Sequence, residues 1–253
     1  MTDPSKALAG RTAIVTGSGQ NIGRAIARRL AAAGANVVIN GSRNRENVDK
    51  VVDEIEAAGG QAIGIMANVG DPGAVSDMVS AAIDRFGAVD IAVSNVGRRR
   101  HQPFLDITVN DWREVIETNL NALFYLDSAV LPGMKARGWG RIVHVSGYDG
   151  FWGHMPNRAH NITCKAGMHG LTMAMAGELA PLGITCNTLV PGAIDTERDW
   201  SQYPNTDRQA KAASIPVRRW GQVDDVADGC LYLVSAPFVN GHALHVNGGE
   251  RMF

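Results

Sequence analysis

The sequence predicts a single doubly wound α/β domain of the Rossmann type, with a parallel sheet of about seven strands and helices on both faces. Apolar runs of strand length alternate with segments at helical spacing along the chain, which is typical of β-α-β crossovers. Strand cores such as VV, IV and LV are apolar on both sides, as buried parallel strands require. No linker rich in proline or glycine divides the chain, so one domain is expected over residues 1–253.

The expected strands and helices follow one another from the N terminus. Strands are predicted at TAIVTG, NVVING, QAIGIMANV, DIAVSN, RIVHVS, ITCNTLVPG and HALHVNGG. Helices are predicted over residues 23–33, 48–58, 74–86, 112–134, 163–182 and 223–235. One long irregular stretch, approximately 195–219, is either a lid over a substrate or an ordinary surface loop.

Composition and charge exclude several classes of protein. Hydrophobic residues make up 45% of the chain and charged residues 19%, which is typical of a globular domain. A net charge of -1 gives no general attraction to nucleic acid or to anionic membranes. Cys164, Cys186 and Cys230 are too few and too widely spaced for a disulfide framework or a zinc cluster. This cysteine pattern predicts no metal and a reducing compartment. Because no apolar run reaches the ~18 residues of a membrane span, we expect a soluble cytoplasmic protein.

The first strand ends in a glycine-rich turn, TGSGQNIG, that leads directly into a helix. Gly17 allows the tight turn, and Gly23 allows the helix to pack closely against the strand. Asn21 stands where such turns usually carry a glycine, and asparagine tolerates left-handed backbone better than most residues. The free N–H groups of the helix N terminus suit a pyrophosphate, so Gly17, Asn21, Ile22 and Gly23 are candidate cofactor-binding residues.

Further motifs extend this pattern over nearly the whole chain. They are SNVG at 94–97, ETNLNALF at 117–124, NTLVPGAIDT at 187–196, WGQVDDVA and HVNGG. Together with the glycine-rich turn they resemble the motifs of the short-chain dehydrogenase/reductase family, with a layout similar to the single-domain 3-oxoacyl-carrier-protein reductases. The resemblance implies a nicotinamide dinucleotide, a small-molecule substrate and a homotetramer formed by the helices that carry Asn119 and Lys165 and by the C-terminal strand.

The residues after the second strand bear on which dinucleotide binds. NAD-binding proteins of this fold usually end that strand with an acidic residue, whereas VVINGSRNRE has none there. Ser42 and Arg43 offer a hydroxyl and a guanidinium suited to a 2′-phosphate, which favours NADP over NAD. In the alternative, Arg43 only solvates a loop. By the resemblance, the remaining cofactor contacts fall to Asn68, Val69, Asn95, Gly97, Lys165, Pro191, Gly192, Ile194 and Thr196.

Carbonyl reduction in the family uses a tyrosine, a lysine, a serine and an asparagine. By the resemblance, Lys165 is the lysine and Asn119 the asparagine. Four positions before Lys165, where the tyrosine is expected, the chain has Asn161, an amide that cannot ionise near neutral pH. The strand that ends at Ser146 places Gly147 at the serine position, whereas counting back from Lys165 indicates the next residue along the chain.

That next residue is Tyr148, the preferred replacement for the missing proton donor. A tyrosine hydroxyl has an ordinary pKa of about 10, and Lys165 is expected to lower it. His160 titrates in a suitable range but is expected to point roughly 100° away from Asn161 on the helix. The remaining candidates are His154 as an acid and Asp149 as a base.

Two further signals are weaker. The basic run RRRH at 98–101 follows SNVG, where the loop of the resembled family passes the mouth of the active site. The run either binds a carboxylate or phosphate of the substrate, or it is a solvated loop or a subunit contact. Cys164 is expected to be a small buried residue.

Three functions are compatible with these features. The preferred one is an NADP-dependent oxidoreductase for a small carbonyl or alcohol, with Asn119, Ser146, Tyr148, Asn161 and Lys165 as candidate catalytic residues. A non-catalytic dinucleotide-binding protein would follow from the missing tyrosine. A lyase, dehydratase or isomerase without redox chemistry would reuse the same pocket.

Overall fold

The computed structural model describes residues 7–152, 155–197 and 207–252. Its strands are β1 (Thr12–Val15), β2 (Asn36–Gly41), β3 (Gln61–Met66), β4 (Ile91–Ser94), β5 (Gly140–Val145), β6 (Ile184–Pro191) and β7 (Ala243–Val246). They form one parallel sheet in the order β3-β2-β1-β4-β5-β6-β7. The predicted fold class is therefore confirmed.

Helices cover both faces of the sheet. They are α1 (Asn21–Ala32), α2 (Arg45–Ala57), α3 (Pro72–Phe86), α4 (Val109–Ile116), α5 (Ala122–Arg137), α6 (Ala159–Leu179), α7 (Arg208–Ser214) and α8 (Val223–Ser235). Ala13 and Val15 pack in the core cluster with α1, α2 and α8, whereas Ile14 packs in the cluster with α3, α5 and α6. Alternate residues of one strand thus serve opposite faces, which explains why the strands are apolar throughout.

The direction of winding changes between β1 and β4. From β1 the chain proceeds outward to β2 and β3, and from β4 it proceeds outward in the other direction to β7. In open α/β sheets, ligands bind in the crevice that such a reversal leaves beyond the carboxyl ends of the strands. The glycine-rich turn after β1 and the segment 95–97 after β4 both lie at this crevice, because Asn95 N–H donates to Thr16 Oγ1 at 2.9 Å.

The helix predicted over 112–134 is interrupted in the structure. A π-helical turn, Glu117–Asn121, separates α4 from α5. Such turns insert an extra residue into a helix and frequently lie at functional sites. Asn119, in the middle of the turn, is completely buried. The apolar pattern of the sequence runs through the turn without a break, so it could not predict the interruption.

Part of the predicted lid lies outside the described residues. Helix α7 occupies 208–214 and residues 195–197 are described, but 198–206 are not. The lid therefore stays a prediction. Within the described parts of the chain, no helix is both long and apolar enough to cross a membrane.

Candidate active site

The glycine-rich turn between β1 and α1 is shaped to bring backbone N–H groups to the crevice. Gly17 has a φ of 60°, and Asn21 adopts left-handed backbone with a φ of 51°. Ser18 is buried, and its hydroxyl donates to the backbone of β1 at 2.7 Å. Gln20 makes no side-chain capping bond, and the first turn of α1 has no acidic residue. The N–H groups at the start of α1 therefore fit a pyrophosphate.

Gly23 is required by close packing against the same turn. An added Cβ would lie 2.4 Å from Gly17 O and 2.7 Å from Asn95 Nδ2. We expect Gly23→Ala to lower the free energy of unfolding by ~1–3 kcal/mol in urea titrations, because α1 must move away from the turn. The movement should weaken NADPH binding by roughly tenfold. Gly177→Ala is the control, since a Cβ on this exposed glycine meets nothing within 4 Å. An unchanged free energy of unfolding in Gly23→Ala would contradict the prediction.

Two asparagines hold the turn against the neighbouring strands. Asn40, in β2, accepts the N–H of Gly17 at 3.2 Å and donates to Ala67 O at 3.1 Å. Asn95 donates from Nδ2 to Thr16 O at 3.0 Å and to Gly17 O at 3.2 Å. Asn40 was missed by the sequence analysis, although a polar residue inside the buried run NVVING was a usable signal. Asn95, expected at the adenosine ribose, holds the turn in shape.

In the loop after β2, some polar side chains interact with α2 and others are exposed to solvent. Asn44 caps α2 by accepting a backbone N–H at 3.0 Å, and Arg45 forms an ion pair with Asp49 at 2.8 Å. Ser42 and Arg43 are exposed, and neither has a hydrogen-bond or ion-pair partner among the residues that the structure describes. These two side chains are therefore the ones in the loop that a phosphate could engage.

The two candidates after β3 differ in exposure. Asn68 is exposed, and its Oδ1 accepts the N–H of Gly70 at 3.2 Å. Val69 is buried and packs in the core cluster with α3 and α5. Of the two residues expected at the adenine, Asn68 thus presents its side chain at the surface and Val69 belongs to the core.

Asn119, Asn161 and Lys165 come together where the π turn meets α6. Asn119 Nδ2 donates to Asn161 Oδ1 at 3.3 Å. The same amide accepts the N–H of Arg98 at 2.7 Å and donates to its carbonyl at 2.8 Å. Asn161 and Lys165 are both buried and lie one helical turn apart on one face of α6. Helix α6 begins at Ala159, four residues before the predicted start, so it includes both residues.

The ammonium group of Lys165 is buried with few acceptors. Nζ donates to Val145 O at 3.0 Å and lies 3.7 Å from Met168 Sδ. Burial, and then the charge of Arg99, lower its pKa to about 8. A Cβ on Gly97 would lie 3.9 Å from Nζ, so the backbone after β4 passes beside the amine. Because an ammonium donates three hydrogen bonds, Lys165 has capacity left for the hydroxyls of a ligand.

Ser146 faces α6 rather than Asn161. Its hydroxyl lies 3.2 Å from His169 Nε2 and donates to Lys165 O at 3.4 Å. Burial and the charge of Lys165 lower the pKa of His169 to about 4, so this imidazole is neutral. At Gly147, in contrast, an added Cβ would meet nothing within 4 Å. The geometry therefore argues against Ser146 as the group that contacts a substrate and favours position 147.

Tyr148 begins a short 3-10 turn that packs directly on α6. A Cβ on Gly150, at the end of this turn, would lie 2.7 Å from the backbone of Lys165. The Tyr148 hydroxyl donates to Glu250 Oε1 at 3.4 Å. Burial, and then the charges of Glu250 and Asp149, raise its pKa to about 12. The expectation that Lys165 lowers this pKa is wrong, because the hydroxyl faces a carboxylate instead of the amine.

The other acid and base candidates are engaged in packing or lie outside the described residues. Asp149 forms an ion pair with Arg158 at 3.0 Å. His160 is fully buried, its Nδ1 accepts the N–H of the next residue at 2.9 Å, and burial lowers its pKa. Cys164 is buried, as predicted, and burial raises the pKa of its thiol to about 11. His154 lies outside the described residues.

The segment after β6 is held by close packing. Pro191 is the last residue of β6, and a Cβ on Gly192 would lie 2.6 Å from Asn247. Ile194 is buried and forms an isolated parallel bridge with Gly221. The backbone that is expected to surround a nicotinamide is thus fixed by the C-terminal part of the chain.

Asn21 connects this segment to the glycine-rich turn. Its Oδ1 accepts the N–H of Glu197 at 2.8 Å, and its Nδ2 donates to Glu197 O at 3.1 Å. Thr196, the expected nicotinamide contact, directly precedes Glu197. The connection brings the two sides of the expected dinucleotide site together, and a glycine at position 21 could not make it.

Comparison with known proteins identifies the family. The family profile described as Enoyl-(Acyl carrier protein) reductase matches residues 17–250. The 3-oxoacyl-acyl-carrier-protein reductase of Escherichia coli is 36% identical over 246 residues, which cover 96% of this chain and 98% of the relative. A dehydrogenase/reductase from Sinorhizobium meliloti, known from its crystal structure, is 32% identical with a TM-score of 0.88, over 98% of each chain. The chain belongs to the short-chain dehydrogenase/reductase family.

Relatives of this short-chain dehydrogenase/reductase are named for different acyl substrates. The family description names an enoyl substrate, whereas the relatives from Escherichia coli and Staphylococcus aureus, the latter 35% identical over 244 residues, are 3-oxoacyl reductases. The Staphylococcus aureus alignment covers 96% of this chain and 98% of the relative. All are oxidoreductases, so membership indicates the class of chemistry and leaves the substrate open.

The basic loop of this short-chain dehydrogenase/reductase, 98–101, is partly neutralised by α4. Arg98 and Arg100 form ion pairs with acidic side chains of that helix. Arg99 is exposed and has no ion-pair partner among the described residues, while its charge acts on Lys165 and lowers the pKa of that amine. Of the three arginines, Arg99 is therefore the one available at the site. No cluster of three or more metal-ligating side chains occurs in the described part of the chain.

Proposed function

We propose that this chain is an NADP-dependent oxidoreductase that interconverts a small carbonyl compound and its alcohol, with a proton donor other than the family's tyrosine. The observation that carries the proposal is the environment of Lys165. Its ammonium group is buried with one carbonyl and one thioether as acceptors, one helical turn from Asn161. Burying a cation is costly unless acceptors satisfy it, and the hydroxyls of a nicotinamide ribose would do so.

The residues of the site would divide the work of reduction. A bound NADPH would supply the hydride. Lys165 would hold the ribose and place a positive charge near the oxygen that becomes an alkoxide. Since Asn161 Oδ1 accepts from Asn119, the Nδ2 of Asn161 can donate to a carbonyl oxygen. Tyr148, which stays protonated at neutral pH, would give the proton.

The preference for NADP is supported by the loop after β2. Arg43→Glu should weaken NADPH binding by roughly 10- to 100-fold and leave NADH binding nearly unchanged, because a carboxylate repels the 2′-phosphate. Fluorescence titrations of both dinucleotides measure this effect. Arg45→Glu is the matched control, since Arg45 already pairs with Asp49. Equal losses for NADPH and NADH in Arg43→Glu would contradict the assignment.

The substrate is proposed to carry an anionic group, a carboxylate or a phosphate, that binds Arg99. The support is that Arg98 and Arg100 are paired with α4, whereas Arg99 is exposed beside the Lys165 site. Absorbance assays with NADPH test the function and the charge together: acetoacetate should be reduced more efficiently than methyl acetoacetate. NADPH binding with turnover of neither compound nor of a wider ketone and aldehyde panel would contradict the proposed activity.

A non-catalytic dinucleotide-binding protein is the second candidate. It is favoured by Asn161, which cannot ionise, and by the raised pKa of Tyr148, about 12. Tight NADPH binding without turnover would support it. Lyase, dehydratase or isomerase chemistry has less support, since Asp149 is paired with Arg158 and His160 is buried.

The remaining proposals concern the surroundings of the site. Large apolar side chains are exposed on α5, on α6 and before β7, namely Phe124, Met173 and Phe238, which supports a homotetramer. A small-molecule enzyme of this kind fits the cytoplasm. A single domain over 1–253 and a substrate lid at approximately 195–219 are also proposed, and 198–206 of that lid lie outside the described residues.

A further inference from the structure

The C-terminal segment turns back toward the site after β7. Gly248 and Gly249 both have left-handed backbone, with φ values of 62° and 79°. Asn247 stabilises the turn, because its Oδ1 accepts the N–H of Gly249 at 3.0 Å. The side chain of Glu250 consequently points inward and is only 4% exposed.

The carboxylate of Glu250 contacts three separate parts of the chain. Its Oε2 accepts the N–H of Ala193 at 2.9 Å, in the segment after β6. Its Oε1 accepts the hydroxyl of Tyr148 at 3.4 Å, in the loop after β5. The same oxygen forms an ion pair with Lys211 on α7. One buried carboxylate thus sets the positions of three elements relative to one another.

The ion pair with Lys211 does not by itself account for this arrangement. The Lys211 side chain is 34% exposed, and pairs of this kind are weakened by solvent. A carboxylate that served the pair alone could remain at the surface. Glu250 instead lies under the segment after β6, where a Cβ on Gly192 would be 2.9 Å from Glu250 Oε2.

We propose that Glu250 is a positioning residue for hydride and proton transfer. It holds the segment after β6, through Ala193, and the Tyr148 hydroxyl in one fixed arrangement. The inference rests on the proposed function, because it assigns Glu250 to the same site. It makes the C-terminal segment part of the active site. Neither the motifs nor the family's catalytic set includes this residue.

Ligand binding tests the nicotinamide-side contact without turnover. Glu250→Ala should weaken NADPH binding by about tenfold and leave 2′-phospho-ADP-ribose, which lacks the nicotinamide, within about twofold of wild type. Lys211→Gln removes the ion pair alone and should leave both affinities within about twofold. Equal losses for the two ligands in Glu250→Ala, or no loss for either, would overturn the proposal.

Ultraviolet titration of tyrosine tests the second contact. The charges facing the Tyr148 hydroxyl are Glu250 and Asp149, which raise its pKa, and Arg158 and Arg251, which lower it. Glu250→Gln keeps the shape of the side chain and removes its charge, so the Tyr148 transition should move to lower pH. Tyr148→Phe identifies that transition by removing it.

The two experiments separate this proposal from the function on which it rests. If the wild-type protein binds no NADPH, the proposed function fails and the positioning role fails with it. If NADPH binds but the Tyr148 transition is the same in Glu250→Gln, the function stands and the positioning role is overturned.

Discussion

Tyr148→Phe is expected to lower kcat for carbonyl reduction by ~10²- to 10⁴-fold, the usual effect of losing a general acid. The NADPH dissociation constant should change by less than about threefold, because Tyr148→Phe removes one hydroxyl and leaves the bond between Glu250 and the Ala193 N–H in place. Steady-state kinetics and fluorescence titration of the same preparation measure both quantities. A kcat within about threefold of wild type would exclude Tyr148 as the proton donor.

The pH dependence gives this expectation a direction. Because the pKa of Tyr148 is raised to about 12, the hydroxyl is protonated through the neutral range, which is the form that reduction requires. Alcohol oxidation requires the ionised form, so its rate should rise with pH throughout the range below about 12. Tyr148→Phe should abolish that rise. A rise of the same slope in the variant would assign the titration to another group.

In a Tyr148→Phe background, the double change Gly147→Ser, Asn161→Tyr is expected to raise the reduction of neutral ketones by ~10²- to 10⁴-fold, because it supplies the acid that Tyr148→Phe removes. The site would then have the family's serine and tyrosine in addition to Lys165 and Asn119. A serine side chain fits at position 147, where an added Cβ meets nothing within 4 Å. The ammonium of Lys165, one turn from position 161, would favour the ionised form of the new tyrosine and lower its pKa.

Single variants show which of the two changes matters. Asn161→Tyr alone should give most of the gain, because it supplies the acid, and Gly147→Ser alone should give little. The measurement is the rate of NADPH oxidation with methyl acetoacetate at saturating cofactor. No gain in the double variant, with NADPH binding intact, would show that the pocket differs from the family's in more than these two positions.

The fold could be predicted because its signals are local and repeated. Each buried strand is an apolar run, and each helix has an apolar face, so the order of elements follows from the sequence. The π turn around Asn119 was not predictable in this way, since it adds one residue without breaking the apolar pattern. The start of α6 at Ala159 was also not predictable, because the residue before it, Arg158, makes no side-chain capping bond that would mark the helix N terminus.

The directions of side chains at the site could be predicted only in part. Asn119, Asn161 and Lys165 were grouped correctly because family spacing ties them together. The direction of Ser146 depends on the register of β5 against α6, which sequence spacing left ambiguous. The raised pKa of Tyr148 depends first on burial and then on the charge of Glu250, which lies 102 residues away along the chain. Contacts of that separation leave no local trace in a single sequence.

The two hydrogen bonds between the Asn119 amide and the backbone of Arg98 have a consequence for the size of the substrate. One amide holds both the basic loop and Asn161, so these two parts cannot move apart independently. With the anion bound at Arg99 and the carbonyl oxygen at Asn161, as proposed, the span between them is set by the protein. The site would then favour substrates whose anionic group and carbonyl are separated by a length that matches this span.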